Sequence, residues 1–307
     1  MNIFSELLEG ATPQQQKKKR IIFHLICINA ALIAVMLSML SIYGIAAFLS
    51  QNRSLDDSSS KANIGKTTIT TLSENDLHSG NLLILDENNR FLGTPNLVNL
   101  QERTDRPKTD TGDNAYSILN KNRSNFMATN DAATALNKML GSFYKAMKDD
   151  NIIIANAYDI SKEASQDAIY SSGEAFELTC FYDYETNSAD RRSIYGIQLY
   201  NWVYNNAYKY GFVTVGGEES NVFRYVGVVH STAMKQSGLS FDEYLEMIKA
   251  KTPAEPLKVT ASGTTYAVYY LAKDAEHAVP SNYAYDVSGN NVDGYIITVN
   301  LSKKVTN

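Results

Sequence analysis

The longest hydrophobic stretch of the chain is residues 21–49, which contain no Asp, Glu, Lys or Arg. A helix needs about 20 mainly apolar residues to cross a membrane, whereas a cleaved secretory signal has an apolar stretch of about 7–15. The pattern therefore predicts an uncleaved transmembrane helix at residues 21–49. Residues 17–20 are all basic. The positive-inside rule thus places residues 1–20 in the cytoplasm and predicts a single-pass plasma-membrane protein whose C-terminal part is extracytoplasmic.

Residues 50–80 have few large apolar side chains, and the first half of this stretch is rich in Ser, Asp and Asn. A segment of that composition buries too little apolar surface to fold, so it is predicted to be a polar tether. Residues 67–72 fit either a short strand or more tether. Folding is expected to begin near Asn81, where the apolar residues 82–85 precede a turn composition.

Helical periodicity appears in the middle of the chain. Apolar residues recur at three- and four-residue spacing over 132–147, which predicts an amphipathic helix with Asn130 or Asp131 as its N-cap. The isoleucine-rich residues 151–157 then predict a buried strand.

Two more helices are predicted further along the chain. One covers residues 200–208 and ends at Gly211, a residue suited to the left-handed backbone after a helix, and a strand is expected at 212–215. The other begins at an S-x-x-E capping box formed by Ser240 and Glu243.

The periodicity changes from helical to strand-like after Pro256. A small β module is therefore predicted at residues 253–307, with a turn at 288–291. The predicted strands are 266–271, 283–287 and 295–301.

Composition narrows the classes of function. The net charge of −5 over 307 residues gives no electrostatic footprint for nucleic acid. Of the four histidines, His24 lies in the predicted transmembrane helix. A metal site with histidine ligands outside that helix would have to use His78, His230 and His277. These three show no H-x-x-x-H spacing.

Three stretches carry more specific information. Residues 201–212 read NWVYNNAYKYGF, residues 223–227 read FRYVG and are followed by LSFDEY at 239–244, and residues 173–178 read GEAFEL. These are similar to the W-L-x-E-N-A-Y-K-Y-G-F, H-F-R-Y-V-G through L-x-L-E-E-Y, and G-x-A-x-D-L segments of the VanY-like D-alanyl-D-alanine carboxypeptidases. The resemblance covers residues 81–252. It implies an α+β fold with an antiparallel sheet and flanking helices, here preceded by one transmembrane helix and followed by the β module.

The resemblance also implies where a metal site would lie. That family binds zinc through two histidines and an aspartate of S-x-H-x-x-G-x-A-x-D and E-x-W-H motifs. The matching positions here are Tyr170, Glu177 and Val222. Valine offers no lone pair and a phenol with a pKa near 10 is a poor ligand, so both ligand histidines are missing. No zinc is expected, and Glu177 is predicted to be a vestigial metal position.

Four further positions are implied to line the site. The family's general-base glutamate falls on Glu219, which is predicted to be vestigial without a metal-bound water. Tyr158, Asp159 and Arg224 are expected in the substrate cleft with Tyr170, Glu177 and Val222. The family's arginine that neutralises the substrate carboxylate falls on Asp159, which is expected to repel a carboxylate.

Three functions are compatible with this pattern. The favoured hypothesis is a membrane-anchored, non-catalytic carboxypeptidase-like protein that binds peptidoglycan or regulates at the cell wall. The second is an active D,D- or L,D-carboxypeptidase with rearranged ligands such as Glu177 and His230. The third is a structural protein of an envelope assembly whose contacts lie in the β module. The expected partners are the membrane and either a stem peptide or an envelope protein.

Overall fold

The structure is a computed structural model, and part of the chain is described in it. The described residues are 63–93, 95–100, 125–149, 151–162, 166–181, 191–217 and 219–305. The cytoplasmic tail predicted at 1–20 and the transmembrane helix predicted at 21–49 lie outside them. Within these ranges, no helix has the length and apolar character needed to cross a membrane.

Strands dominate the fold, and every strand pair in the described part is antiparallel. The strands are β1 Thr67–Thr70, β2 Leu97–Asn99, β3 Phe126–Thr129, β4 Ile153–Asn156, β5 Tyr158–Asp159, β6 Ala175–Phe181, β7 Arg191–Ser193, β8 Phe212–Thr214, β9 Val222–Tyr225, β10 Leu257–Ala261, β11 Thr264–Ala272, β12 His277–Pro280, β13 Tyr283–Gly289 and β14 Gly294–Lys304. The α-helices are α1 Glu74–Leu77, α2 Asn130–Met147, α3 Asn201–Asn206, α4 Val228–Ser237 and α5 Phe241–Lys249. This α+β architecture with antiparallel sheets agrees with the predicted fold class.

The central sheet has five strands, in the order β4-β6-β9-β8 with β7 also paired to β6. Alternate side chains of β6, Phe176 and Leu178, are fully buried in a cluster that also contains Phe143 of α2 and Phe223 of β9. Because successive strand residues point to opposite faces, the residues between them lie on the other face of the sheet. Cys180 belongs to the same buried cluster, as expected for a small hydrophobic residue.

Two predicted helices are confirmed with small changes. Helix α2 buries the predicted apolar face, but its N-cap is Thr129, whose Oγ1 accepts the Ala132 N–H at 3.4 Å. The prediction of Asn130 or Asp131 was wrong because the helix begins at Asn130 itself. In α5 the Ser240 Oγ accepts the Glu243 N–H at 3.4 Å, and the Glu243 carboxylate accepts the Ser240 N–H at 2.9 Å. The capping box is therefore present.

The helix predicted at 200–208 is not continuous. Only Asn201–Asn206 is α-helical, and 3₁₀ turns flank it at Gln198–Tyr200 and Ala207–Tyr210. Gly211 ends the second turn with a φ of 90°, the left-handed backbone that glycine adopts without steric cost. The strand expected after it is β8.

The predicted tether needs correction from residue 63 onward. Ile64 and Leu77 are buried in one cluster with Tyr269 and Ile297 of the β module. Strand β1 pairs with β12, and α1 begins at a capping box. Few apolar residues are enough to order this segment because its backbone pairs with β12, a strand far along the chain. Of the two alternatives for residues 67–72, the short strand is the one observed.

The β module consists of a four-stranded sheet, β10-β11-β14-β13, and the β1-β12 pair. The predicted strands correspond to β11, β13 and β14, while β10 and β12 were not predicted. Its core continues into α4 and α5: Val226, Met234, Tyr244 and Ile248 share a buried cluster with Val259 and Ile296. At the predicted boundary, 252/253, the chain thus passes from the helices to the sheet of the β module. The buried cluster continues across this boundary.

Candidate functional site

Three neighbouring strands place Asn156, Glu177 and Val222 side by side. Glu177 of β6 is the register partner of Asn156 on β4 and of Val222 on β9. Directly opposed residues of antiparallel strands project to the same face with their Cβ atoms about 4.5–5.5 Å apart. The three side chains are partly exposed. They form a row, called here the cleft row, on the face of the sheet opposite Phe176 and Leu178.

Tyr170 lies against this row. It ends a 3₁₀ turn at Ala168–Tyr170, is 4% exposed, and its phenol is hydrogen-bonded to the Asn156 side chain. Burial, and then the negative charges of Glu177 and Asp167, raise the pKa of Tyr170 to about 12. The phenol is therefore neutral at physiological pH. The structure thus brings Val222 together with Tyr170 and Glu177, which precede it in the sequence by more than 40 residues.

The donor set of the cleft row does not fit catalytic zinc. Such a site uses three protein ligands and keeps a fourth position for water. Here the three positions carry one carboxylate, one protonated phenol and one isopropyl group. In the part of the chain that is described, no three His, Cys, Asp or Glu side chains come close enough together to hold a metal ion.

His230, suggested as a rearranged ligand, is engaged elsewhere. Its Nδ1 lies 2.8 Å from the Tyr244 hydroxyl and its Nε2 lies 3.0 Å from Thr298 Oγ1. The side chain is 8% exposed, and burial lowers its pKa to about 4. A neutral imidazole with both nitrogens in hydrogen bonds between α4, α5 and β14 has no free lone pair for a metal.

Tyr158 and Asp159 lie on β5, in the three-stranded sheet β2-β3-β5. Both are buried. Asp159 Oδ1 accepts hydrogen bonds from the Ser161 amide at 3.0 Å and the Ser161 hydroxyl at 2.6 Å. Its other oxygen lies 3.9 Å from Lys162 Nζ. The carboxylate is therefore held in its own turn, and its charge is offset by neighbouring donors.

Glu219 is exposed on the hairpin tip between β8 and β9. The hairpin closes through the Val215 amide to the Val222 carbonyl at 3.0 Å, and Gly217 adopts a φ of 106°. Tyr204 supports the tip, since its hydroxyl donates to the Ser220 carbonyl at 3.3 Å. Glu219 is thus exposed at the hairpin tip, three residues along the chain from Val222.

Arg224 points to the same face as Val222 but is only 1% exposed. Its guanidinium packs over the Phe241 ring at 4.6 Å, and Nη2 donates to the Asn81 carbonyl at 3.3 Å. Burial lowers the pKa of Arg224 to about 10, so the side chain is still charged at neutral pH. Arg224 was expected to line the substrate cleft; in the structure it is covered by Asn81 and Phe241 and supports the sheet.

Sequence motifs did not identify Asn156, because its place in the cleft row depends on strand register. The local signal was a polar residue two positions after the run of three isoleucines.

Comparisons with known proteins address the sequence and the fold as a whole. No protein-family model matches the chain. A D-alanyl-D-alanine carboxypeptidase of Enterococcus faecium is 28% identical over 269 residues, covering 80% of this chain and 82% of its own. The vancomycin-resistance D,D-dipeptidase VanXYg, solved with a D-Ala-D-Ala phosphinate analogue, is 19% identical, and the match covers 76% of this chain and 99% of VanXYg with a TM-score of 0.56. A VanY D,D-pentapeptidase mutant solved with Zn(II) is 15% identical, and the match covers 54% of this chain and 98% of that one with a TM-score of 0.30.

The VanXYg structure shows that the described chain has the fold of the D,D-peptidases. The sequence is also similar to that of the enterococcal enzyme, which agrees with the resemblance to VanY-like D-alanyl-D-alanine carboxypeptidases.

Proposed function

We propose that this chain is a membrane-anchored pseudoenzyme that binds peptidoglycan stem peptides at the cell wall without hydrolysing them. The observation that carries the proposal is the cleft row, where Val222 lies beside Glu177 and Tyr170 lies against them. The sequence resemblance matches Tyr170 and Val222 to the family's ligand histidines. Without metal-bound water, a carboxylate at Glu219 has no activated nucleophile to generate.

The cleft row retains the chemistry of a peptide-binding surface. Glu177 supplies hydrogen-bond acceptors, the protonated Tyr170 hydroxyl supplies a donor, and the Asn156 amide supplies both. Such groups can pair with the amides and carbonyls of a bound peptide. The class of ligand is supported by VanXYg, which has the same fold and was solved with a D-Ala-D-Ala phosphinate analogue.

The anchor and the orientation are part of the proposal. They are supported by the charge-free residues 21–49 and the basic residues 17–20, which lie outside the described residues. A protein with this topology would present its peptide-binding face to the wall.

The test uses the full chain in detergent with a pentapeptide that ends in D-Ala-D-Ala. Release of D-alanine, zinc per chain and calorimetric binding are measured with and without added zinc. We expect binding without D-alanine release in both conditions. Stoichiometric zinc together with D-alanine release would overturn the proposal in favour of an active carboxypeptidase.

Variants further distinguish a peptide-binding pseudoenzyme from an active carboxypeptidase. Glu177→Ala should weaken peptide binding by about 10-fold if Glu177 is a binding group, which corresponds to one charged hydrogen bond. Glu276→Ala, on an exposed turn of the β module, is the matched control and should leave binding unchanged. In an active enzyme, Glu177→Ala or Glu219→Ala would instead abolish turnover.

A further inference from the structure

Three exposed lysines lie at one end of the β module: Lys66, Lys303 and Lys304. Lys66 comes directly before β1, and its carbonyl accepts the Ser281 amide at 2.9 Å. Lys304 is the register partner of Tyr283, which begins β13 two residues after Ser281. The start of β1, the end of β14 and the turn between β12 and β13 therefore meet at one place, which we call the lysine end.

The lysine end carries little negative charge. The chain as a whole has a net charge of −5, but residues 63–73, 277–285 and 294–305 contain no Asp or Glu. Along β13 the first acidic residue is Asp286, three positions after Tyr283. Among the described residues, no carboxylate forms an ion pair with any of the three lysines. Their ammonium groups therefore face solvent as a group of like charges.

Negative charge is concentrated at the opposite end of the same sheet. Burial raises the pKa of Tyr295, and three nearby carboxylates raise it further, those of Glu74, Asp76 and Asp274. Tyr295 lies near the start of β14 and Lys304 at its end, which places them roughly 30 Å apart at the usual rise per strand residue. The module is thus polarised along β14. An anionic surface attracts its lysine end and repels the other.

The length of the chain before β1 keeps this end within reach of a membrane. Residues 50–62 separate the transmembrane helix predicted at 21–49 from the first described residue. A stretch of that length spans at most about 45 Å when fully extended and about 20 Å as a flexible coil. The lysine end is where the anchored chain enters the β module, so it is the part of the module that the anchor holds near the lipid headgroups.

We propose that the lysine end docks the β module onto anionic phospholipid headgroups of the membrane in which the chain is anchored. The ammonium groups pair with headgroup phosphates. Val305, which is 45% exposed and whose amide donates to the Asn282 carbonyl at 3.0 Å, adds an apolar contact beside them. The inference rests on the anchor of the proposed function and is independent of the peptide ligand. Docking gives the tethered domain one orientation, with the acidic end of β14 directed away from the bilayer.

The experiment places the full chain in lipid nanodiscs of phosphatidylcholine alone or of phosphatidylcholine and phosphatidylglycerol in equal parts. Acetylation of each lysine by an N-hydroxysuccinimide ester is followed by mass spectrometry. We expect anionic lipid to slow acetylation of Lys66, Lys303 and Lys304 by about 5-fold or more, since each lysine at an anionic surface favours the bound state by about that factor. Lys138 and Lys145, exposed on α2, are internal controls and should react equally in both bilayers.

Variants and salt test which charges are responsible. Lys303→Gln combined with Lys304→Gln should return the acetylation of Lys66 nearly to its rate in phosphatidylcholine. The matched control, Lys138→Gln combined with Lys145→Gln, removes the same charge from α2 and should leave Lys66 protected. Thermal unfolding is followed for each variant. In the unmutated chain, about 1 M salt should abolish the protection because it shortens the Debye length to about 3 Å, a test that needs no substitution.

The outcomes separate this inference from the proposed function. Equal acetylation of Lys66 in the two bilayers would refute docking and leave the anchor and the peptide-binding function standing. Protection by soluble poly(glycerol phosphate), but not by anionic lipid, would refute the lipid surface in favour of an anionic wall polymer. Release of the chain from membranes by alkaline carbonate would refute the anchor and this inference together. Calorimetry with the pentapeptide on the same nanodiscs tests the peptide-binding function separately.

Discussion

The cleft row and the junction between the helices and the β module use their polar side chains in different ways. At the junction, both nitrogens of His230 are hydrogen-bonded to Tyr244 and Thr298, within a buried apolar cluster. In the cleft row, Asn156, Glu177 and Val222 are partly exposed, and the matching histidine positions hold other residues. The comparison teaches that His230 has a structural role at the junction, whereas the side chains of the cleft row are partly exposed.

The largest effect should come from rebuilding the cleft. Combining Tyr170→His with Val222→His would set two imidazoles beside Glu177, the three ligands that catalytic zinc requires. We expect about one zinc per chain after dialysis against low-micromolar zinc, measured by atomic absorption, and none in the cleft of the wild type. Adding Glu177→Ala to the double variant should remove the metal. A zinc-free double variant would show that the row does not present three ligands to one point.

The next effect concerns the support of the sheet. Arg224→Ala should lower the free energy of unfolding by about 3 kcal/mol, because it leaves a cavity under Phe241 and removes a cation–π contact. Burial raises the pKa of Glu174, the nearest opposite charge, to about 8, so at pH 7 little negative charge is left unpaired. Arg224→Met, which refills the cavity, should cost only about 1 kcal/mol. Equal losses in urea unfolding would mean that charge, rather than packing, is what Arg224 contributes.

The junction should respond to pH through His230. Its folded pKa of about 4 lies below the ordinary histidine value of 6.5, so only the unfolded chain takes up the proton between these values. The contribution of the neutral His230 to the free energy of unfolding is complete above pH 6.5. It declines by about 1.4 kcal/mol per pH unit as the pH falls toward 4. His230→Gln cannot titrate, so the difference between the two unfolding curves should shrink over that window. A constant difference would refute the buried neutral imidazole.

The smallest effect should come from the link between the two regions. Asn291→Ala removes the amide that holds Ile84, Asn89 and Arg90, and should cost about 1–2 kcal/mol of stability. Urea unfolding measures the loss. An unchanged free energy of unfolding would show that these three hydrogen bonds contribute little to stability.

Local signals in the sequence predicted part of this fold. The apolar face of α2 and the Ser240 capping box depend on residues within one or two turns, and both are present. Helix α4 was missed because it buries hydroxyls: Ser237 Oγ donates to the Ala233 carbonyl at 2.8 Å and Ser231 Oγ to the Gly227 carbonyl at 2.9 Å. Such back-bonding satisfies a buried polar side chain but erases the apolar period.

The candidate site, like the fold, was predicted only in part. The resemblance to the carboxypeptidase family located Tyr170, Glu177 and Val222, which the structure brings together. Asn156 was missed because its place beside Glu177 depends on the register of β4 and β6, which no residue pattern shows. Strand β1 was missed, within the segment predicted to be a tether, because its partner strand β12 lies far along the chain.

The pairing of β1 with β12 has a consequence for the order in which the chain acquires its structure. The Leu72 amide donates to the His277 ring across 205 positions. At a synthesis rate of about 5–20 residues per second, β12 is synthesised roughly 10–40 s after β1. The strand β1 has no partner during that time. Until then its unsatisfied edge is open to chaperones, to proteases and to neighbouring chains. Premature termination before β12 would therefore release a product that is damaged at its beginning as well as at its end.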